Sequence, residues 1–238
     1  MSPLHEYLRQ VSRREMLAML GAAVAAGCGG SEASPVSPTT TPTTSTTGTG
    51  AACAVAPTET IGPYPSLTDL IRSDIREGKS GTTLTLTISV VNVNGGCAAV
   101  PNAIVDVWQC DAEGHYSQYS QPGFNGTSQT FLRGIQTTDG SGRVTFTTIY
   151  PGWYQGRATH IHVEVTVNGQ SVKVTQIAFP ESVTAAVYAS GVYAAKGQNP
   201  TSNGGDMVFS ESVASELATV TGDPASGYAA TFTVGVAL

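Results

Sequence analysis

Charge is scarce in this chain. Only 12% of its 238 residues are Asp, Glu, Lys or Arg, and the formal balance is −6. A surface so short of basic side chains lacks the electrostatic footprint of a nucleic-acid binder, which excludes nucleic acid as a partner. Long apolar runs are missing too: none reaches the roughly 18 to 20 residues that cross a bilayer. Cysteine and histidine number four each, so a cysteine-rich metal site is excluded as well. What is plentiful is Gly (27), Pro (13) and short runs of Val and Thr. That mixture predicts an all-β domain with many turns.

The N-terminus reads as an export signal rather than as fold. "SRREML" carries Arg13-Arg14 and leads into an apolar stretch from Met16 to Ala26. Residues 1–27 are therefore expected to be a twin-arginine-type signal. "AAGC" ends at Cys28 and resembles a bacterial lipobox, which makes a lipid anchor at Cys28 the expected route to a membrane. Residues 28–52 hold "SEASPVSPTTTPTTSTTGTG", a Ser/Thr/Pro-rich stretch. It cannot bury enough apolar surface to offset chain entropy, so it is expected to be a tether. Without residues 1–27 the chain keeps 8 basic and 15 acidic side chains, which suits an exported, periplasmic or extracellular protein. Export permits a disulfide. Cys53 and Cys97 both fall in loops and form the favoured pair. Cys110 ends a strand and reads as a small buried residue.

Residues 53–238 read as one domain. "TLTLTISVVNV" (83–93) alternates Leu, Leu, Ile and Val against Thr and Ser, as a half-buried strand does. Further strands are expected at 103–110, 142–149, 160–167, 171–179 and 228–236. A short helix is expected in the Ala-rich stretch 181–195. Many short strands at regular spacing mean a sandwich or a barrel. "NGQ" (168–170) marks a hairpin. A two-residue loop there would place Gln176 opposite Ile161. A three-residue loop, Asn168 to Gln170, would place it opposite His162. The three-residue loop is expected, with Gly169 taking the left-handed conformation.

Half of the histidines stand two apart in "HIHVEVTV" (160–167). Residues two apart on a strand share a face. Ile161, Val163, Val165 and Val167 then build the core, and His160 and His162 point together to the other side as a metal-ligand pair. The donors nearby are phenols, from "WQCDAEGHYSQYS" (108–120) and "YPGWYQGR" (150–157).

Four stretches, "TETIGPYP" (58–65), "VDVWQCDAEGHYS" (105–117), "FLRGIQTTDGSGRVTFTTIYPGWYQGRATHIH" (131–162) and "TQIAFP" (175–180), together resemble the intradiol ring-cleavage dioxygenases. This is the family that includes protocatechuate 3,4-dioxygenase and catechol 1,2-dioxygenase. The chain looks closest to an exported, single-chain branch. Fewer residues separate Tyr154 from the histidine pair than in the better-known members. The resemblance implies a prealbumin-like β-sandwich with short helical or loop excursions. It implies one non-haem Fe(III) held by Tyr116, Tyr154, His160 and His162. It makes Tyr154 the ligand that dissociates and takes a substrate proton, Arg157 the group that stabilises developing negative charge, and Gln176 a supporting side chain. It suggests Pro63 and Tyr64 for the wall of the substrate mouth. The implied reaction cleaves a small aromatic diol with O2, between its hydroxylated carbons, to a cis,cis-muconate-type diacid. Two other readings stay open. One is a non-catalytic prealbumin-like binding or adhesion module on the cell exterior. The other is a copper site, since copper also takes two tyrosines and two histidines.

Overall fold

The structure, a computed structural model, describes residues 54–238. The expected signal (1–27), the tether (28–52), Cys28 and Cys53 lie outside the described residues. Eleven strands run in chain order: β1 (Thr83–Asn92), β2 (Ala98–Ala99), β3 (Ile104–Trp108), β4 (Ser120–Gln121), β5 (Phe124–Asn125), β6 (Arg133–Thr137), β7 (Arg143–Ile149), β8 (His160–Val167), β9 (Gln170–Ala178), β10 (Thr219–Asp223) and β11 (Gly227–Val236). Two short helices interrupt them, α1 (Glu181–Tyr188) and α2 (Val213–Glu216). The all-β expectation and the helix near 181 hold.

β1 shows why the sandwich forms. Leu84, Leu86, Ile88 and Val90 are fully buried, while the residues between them face outward. Each such side chain contributes roughly 1.5–3 kcal/mol by leaving water. β1 pairs antiparallel with β7 on one side, Leu86 opposite Phe146, and parallel with β11 on the other, Leu86 opposite Ala230. β10 extends that sheet beyond β11, and β2 adds to the end of β1. The second sheet is antiparallel in the order β6-β3-β8-β9. Its Val105, Val107, Ile161, Val163, Val165 and Ile177 share one core with Leu84 to Val90, Phe146 and Phe232. The opposite face of this second sheet is where His160 and His162 emerge.

The hairpin between β8 and β9 corrects one expectation and upholds its consequence. The loop has two residues, with Asn168 (φ 52°) and Gly169 (φ 77°) both left-handed, as a tight type I′ turn needs. Val167 pairs with Gln170, not with Ser171. The register then slips by one residue: Thr166 faces Ser171, but Val165 faces Lys173. Val172 is the extra residue of a β-bulge. Beyond the bulge His162 lies opposite Gln176, as expected, by a different route.

Cys97 is disulfide-bonded, and its expected partner Cys53 lies outside the described residues. Cys110 is a free thiol, buried as expected. No helix among the described residues is long and apolar enough to cross a membrane.

Candidate metal centre

His160 and His162 are both buried, 3% and 1% exposed. Their Nε2 atoms stand 3.2 Å apart. His160 Nδ1 lies 2.6 Å from the Ala158 carbonyl. A carbonyl only accepts, so Nδ1 carries the hydrogen and Nε2 is left with its lone pair. The His162 ring stacks on Trp108, its cross-strand partner, at 4.9 Å and 3°. Burial holds both rings neutral. It pushes His160 down to about 3, helped by the charge of Arg157. It pushes His162 well below its ordinary value, helped by His160 and Arg157. Neutral imidazoles are the form that binds metal.

The phenols arrive on loops. Tyr154 lies between β7 and β8, and its hydroxyl is 3.4 Å from His160 Nε2. Burial pushes its pKa up to about 12, with the Arg157 charge opposing. Tyr116 lies between β3 and β4. It is fully buried, and its ring sits 5.8 Å from that of Tyr154 and 6.5 Å from that of His162. Burial raises it well above the ordinary tyrosine value, and Tyr154 adds to the rise.

Three buried polar atoms here have no hydrogen-bond partner: Tyr116 Oη, His162 Nδ1 and Trp108 Nε1. Leaving a buried polar group unpaired costs about 1–3 kcal/mol. Two phenols and two neutral imidazoles gather here, and a cation between them would use their lone pairs. The donor set, hard oxygens with neutral imidazoles, fits a trivalent iron.

Two side chains and one stretch of backbone build the surroundings. Tyr64 stacks on Tyr116 at 4.8 Å and meets Tyr154 edge-on at 6.4 Å. Pro63 is exposed. Gly62 presses its backbone on His162: with φ at +74°, an added Cβ would stand 2.8 Å from His162 Cε1. Arg133 is 1% exposed and ties the loops together, donating to the Tyr64 carbonyl (2.9 Å), Ser117 Oγ (2.9 Å) and the Ser117 carbonyl (2.7 Å).

Gln176 is fully buried and faces the site. Its Oε1 accepts from Arg157 Nη2, and its Nε2 donates to the Thr60 carbonyl at 3.1 Å. Arg157 Nε donates to Asp206 Oδ2 at 2.9 Å. Burial would raise the Asp206 pKa, but the Ala158 and Val208 amides and Arg157 hold it below the usual carboxylate value.

The rival donors go elsewhere. Tyr119 donates to the Pro65 carbonyl, Tyr150 meets Thr184 on α1, and His115 stacks on Phe124. His115 does gather with Asp111 and Glu113, but Lys79 occupies Asp111 at 2.6 Å. Sequence reasoning missed Asp206, Arg133 and Gly62, and used Trp108 only as a landmark. For Gly62 a signal existed, the Gly-Pro pair of "TIGPYP".

A family model described as "Dioxygenase" matches residues 61–199. An intradiol ring-cleavage dioxygenase from Tetranychus urticae is 28% identical, with a TM-score of 0.70 over 78% of this chain and 95% of that one. The dioxygenase domain of a dioxygenase–carbohydrate-binding protein fusion from Streptomyces sp. SirexAA-E is 26% identical, with a TM-score of 0.58 over 78% and 99%. The 3-chlorocatechol 1,2-dioxygenase from Rhodococcus opacus 1CP shares the fold at 22% identity, with a TM-score of 0.51 over 75% and 71%. No curated protein matches. The matched span holds Tyr64, Tyr116, Tyr154, Arg157, His160, His162 and Gln176, and by it the chain belongs to the intradiol ring-cleavage dioxygenase family of oxidoreductases.

Proposed function

We propose that the protein cleaves an aromatic 1,2-diol between its hydroxylated carbons with O2, and that Tyr116, Tyr154, His160 and His162 hold the ferric ion this needs. The observation that carries the reading is the convergence of two phenols and two neutral imidazoles, with the Tyr116 oxygen buried and unpaired. When bound, the ion would supply Lewis acidity, lowering the pKa of the phenols it meets and drawing electron density from the diol.

The chain's own residues supply the rest. The Ala158 carbonyl and the Trp108 ring aim the two imidazoles. Tyr64 and Arg133 pack around Tyr116 and keep water from it. Tyr154 is less buried than Tyr116, which suits a phenol that swings out and takes a diol proton on its Oη. Arg157 stabilises negative charge on the ring as oxygen adds. One ring C–C bond breaks, and each of its carbons becomes a carboxyl group. Both atoms of O2 enter the product, so no external reductant is required.

Oxygen uptake by iron-loaded protein across a panel of catechols tests this. One O2 should be consumed per diol, with a ring-opened diacid by mass spectrometry. A visible phenolate-to-iron band should fade in Tyr116→Phe. No uptake by fully iron-loaded protein on any diol would sink the reading.

We also propose that the protein works outside the cytoplasm, anchored through Cys28. The disulfide at Cys97 supports an oxidising compartment. Fractionation of the source cells tests it, and recovery in the cytosol with Cys97 reduced would overturn it.

A further inference from the structure

We infer that Asp206, beyond the span shared with the family model, is the positioning residue that aims Arg157 into the site. The inference rests on the proposed function for its catalytic consequence, but not for its geometry. Asp206 is fully buried. Its Oδ2 accepts from Arg157 Nε at 2.9 Å and from the Ala158 amide at 2.6 Å. Its Oδ1 accepts from the Val208 amide at 2.7 Å. Both oxygens are therefore spoken for, and the carboxylate cannot turn.

What it holds is a planar fork. A guanidinium gripped at one nitrogen still swivels; gripped at two it has one plane. Asp206 takes Nε and Gln176 takes Nη2. Gln176 is fixed in turn by the Thr60 carbonyl. The Phe209 ring closes the remaining side, with the guanidinium carbon 5.7 Å from its centre. Held so, the guanidinium stays beside Gln176, which lies opposite His162. Removing Asp206 leaves Arg157 on a single polar grip, and the long side chain regains its rotamers.

The same carboxylate has a second effect. It offsets the positive charge of Arg157, in a place where a free arginine would attract anionic ligands. The segment 206–216 that carries it also supplies Phe209 and the buried Glu216, so this part of the site comes from outside residues 61–199.

Two measurements on Asp206→Asn and Asp206→Glu test the inference, one of them independent of turnover. The first is arginine labelling by phenylglyoxal, read peptide by peptide on metal-free and iron-loaded protein. Labelling at Arg157 should rise about fivefold or more in Asp206→Asn, the loss of one ordinary hydrogen bond, while buried Arg133 stays unchanged as the internal reference. The second is steady-state kinetics. Asp206→Asn should lose about 10- to 100-fold in kcat, the range of a charge-assisted hydrogen bond, with iron content and anaerobic binding of 4-nitrocatechol near those of the parent. That loss should largely vanish in an Arg157→Lys background, where there is no fork to hold. Unchanged labelling of Arg157 overturns the inference whether or not the protein turns over any diol. An equal kcat loss with and without Arg157→Lys overturns it, and so does loss of iron in Asp206→Asn, which would assign the residue to Ala158 and His160. Failure of both variants to fold would make Asp206 a structural residue and overturn it too.

Discussion

The two faces of the sheet β6-β3-β8-β9 are almost equally dry and chemically opposite. On β8 the residues Ile161, Val163 and Val165 point inward and are fully buried, while His160, His162, Glu164 and Thr166 point outward and are at most 8% exposed. The inner face packs on another sheet, whose aliphatic side chains need no partners. The outer face is roofed by loops, whose carbonyls and amides must be satisfied. Ala158, Tyr64, Thr60 and Ser117 all lend backbone oxygens to that roof. Burial under loops therefore makes a polar, low-dielectric chamber, and burial under a sheet makes a core. The difference lies in what covers each face, since one strand serves both.

The largest effects should come from exchanging single residues on the two faces of β8. His162→Ala should bring iron occupancy below about a tenth, because a four-donor site rarely keeps its metal with three. It should remain folded by far-UV circular dichroism. Ile161→Ala should do the reverse, losing about 2–5 kcal/mol of stability while the folded fraction binds a full complement of iron. Metal analysis beside denaturant titration separates the two. Full iron in His162→Ala would remove that residue from the ligand set.

The same contrast explains which parts of the molecule could be read in advance. β8 was legible to the residue, since its inner positions are aliphatic and alternate strictly. β1, β7 and β11 were legible for the same reason. β6 was not, although it lies within the stretch 131–162 that resembles the family. Its "RGIQT" buries an arginine on the roofed face and a glycine beside it, so the expected apolar-in, polar-out contrast is absent. β10 is a largely exposed edge strand with no apolar face to show. The candidate donors Tyr116, Tyr154, His160 and His162 lie together, with Arg157 and Gln176 beside them. Asp206 left no trace, being a single carboxylate after a Gly-Gly turn. The register of Gln176 came out right although the turn did not. Asn168-Gly169 makes the shorter loop, and the bulge at Val172 restores the face. A bulge has no composition signature here, so only coordinates reveal it.

Two glycines give a smaller and cleaner test of what a roof imposes. Gly62 and Gly169 have nearly the same φ, +74° and +77°. An added Cβ meets His162 Cε1 at 2.8 Å in the first and nothing within 4 Å in the second. Both Ala variants should lose about 1–2 kcal/mol, the cost of a left-handed residue with a side chain. Only Gly62→Ala should also lower iron occupancy, because its methyl pushes a ligand ring. Equal iron in the two variants would mean that the backbone at 62 is free to retreat and does not set the His162 ring.

The smallest effect expected is a pH dependence that the aliphatic inner face cannot produce. Glu216, on α2 in the roof, is fully buried, with one oxygen accepting from Ser212 at 2.7 Å and the other unpaired. Burial pushes its pKa up from 4.5 to about 7; the Ser212 bond opposes this, and Glu59 and Asp206 add to the rise. The folded state thus binds this proton more tightly than the unfolded chain. Its contribution to stability is fully present below pH 4.5, shrinks as pH climbs, and is lost as pH passes through about 7. The thermal midpoint should fall by a few degrees between pH 5 and pH 8 for this reason. Glu216→Gln keeps the volume and an acceptor for Ser212 but has no proton to lose. Its midpoint should track the parent's at pH 5 and exceed it at pH 8. Other groups titrate in both proteins, so the difference between the two curves isolates Glu216. Parallel curves across that range would show that Glu216 ionises as freely in the folded protein as in the unfolded chain, and that the roof at α2 is wet.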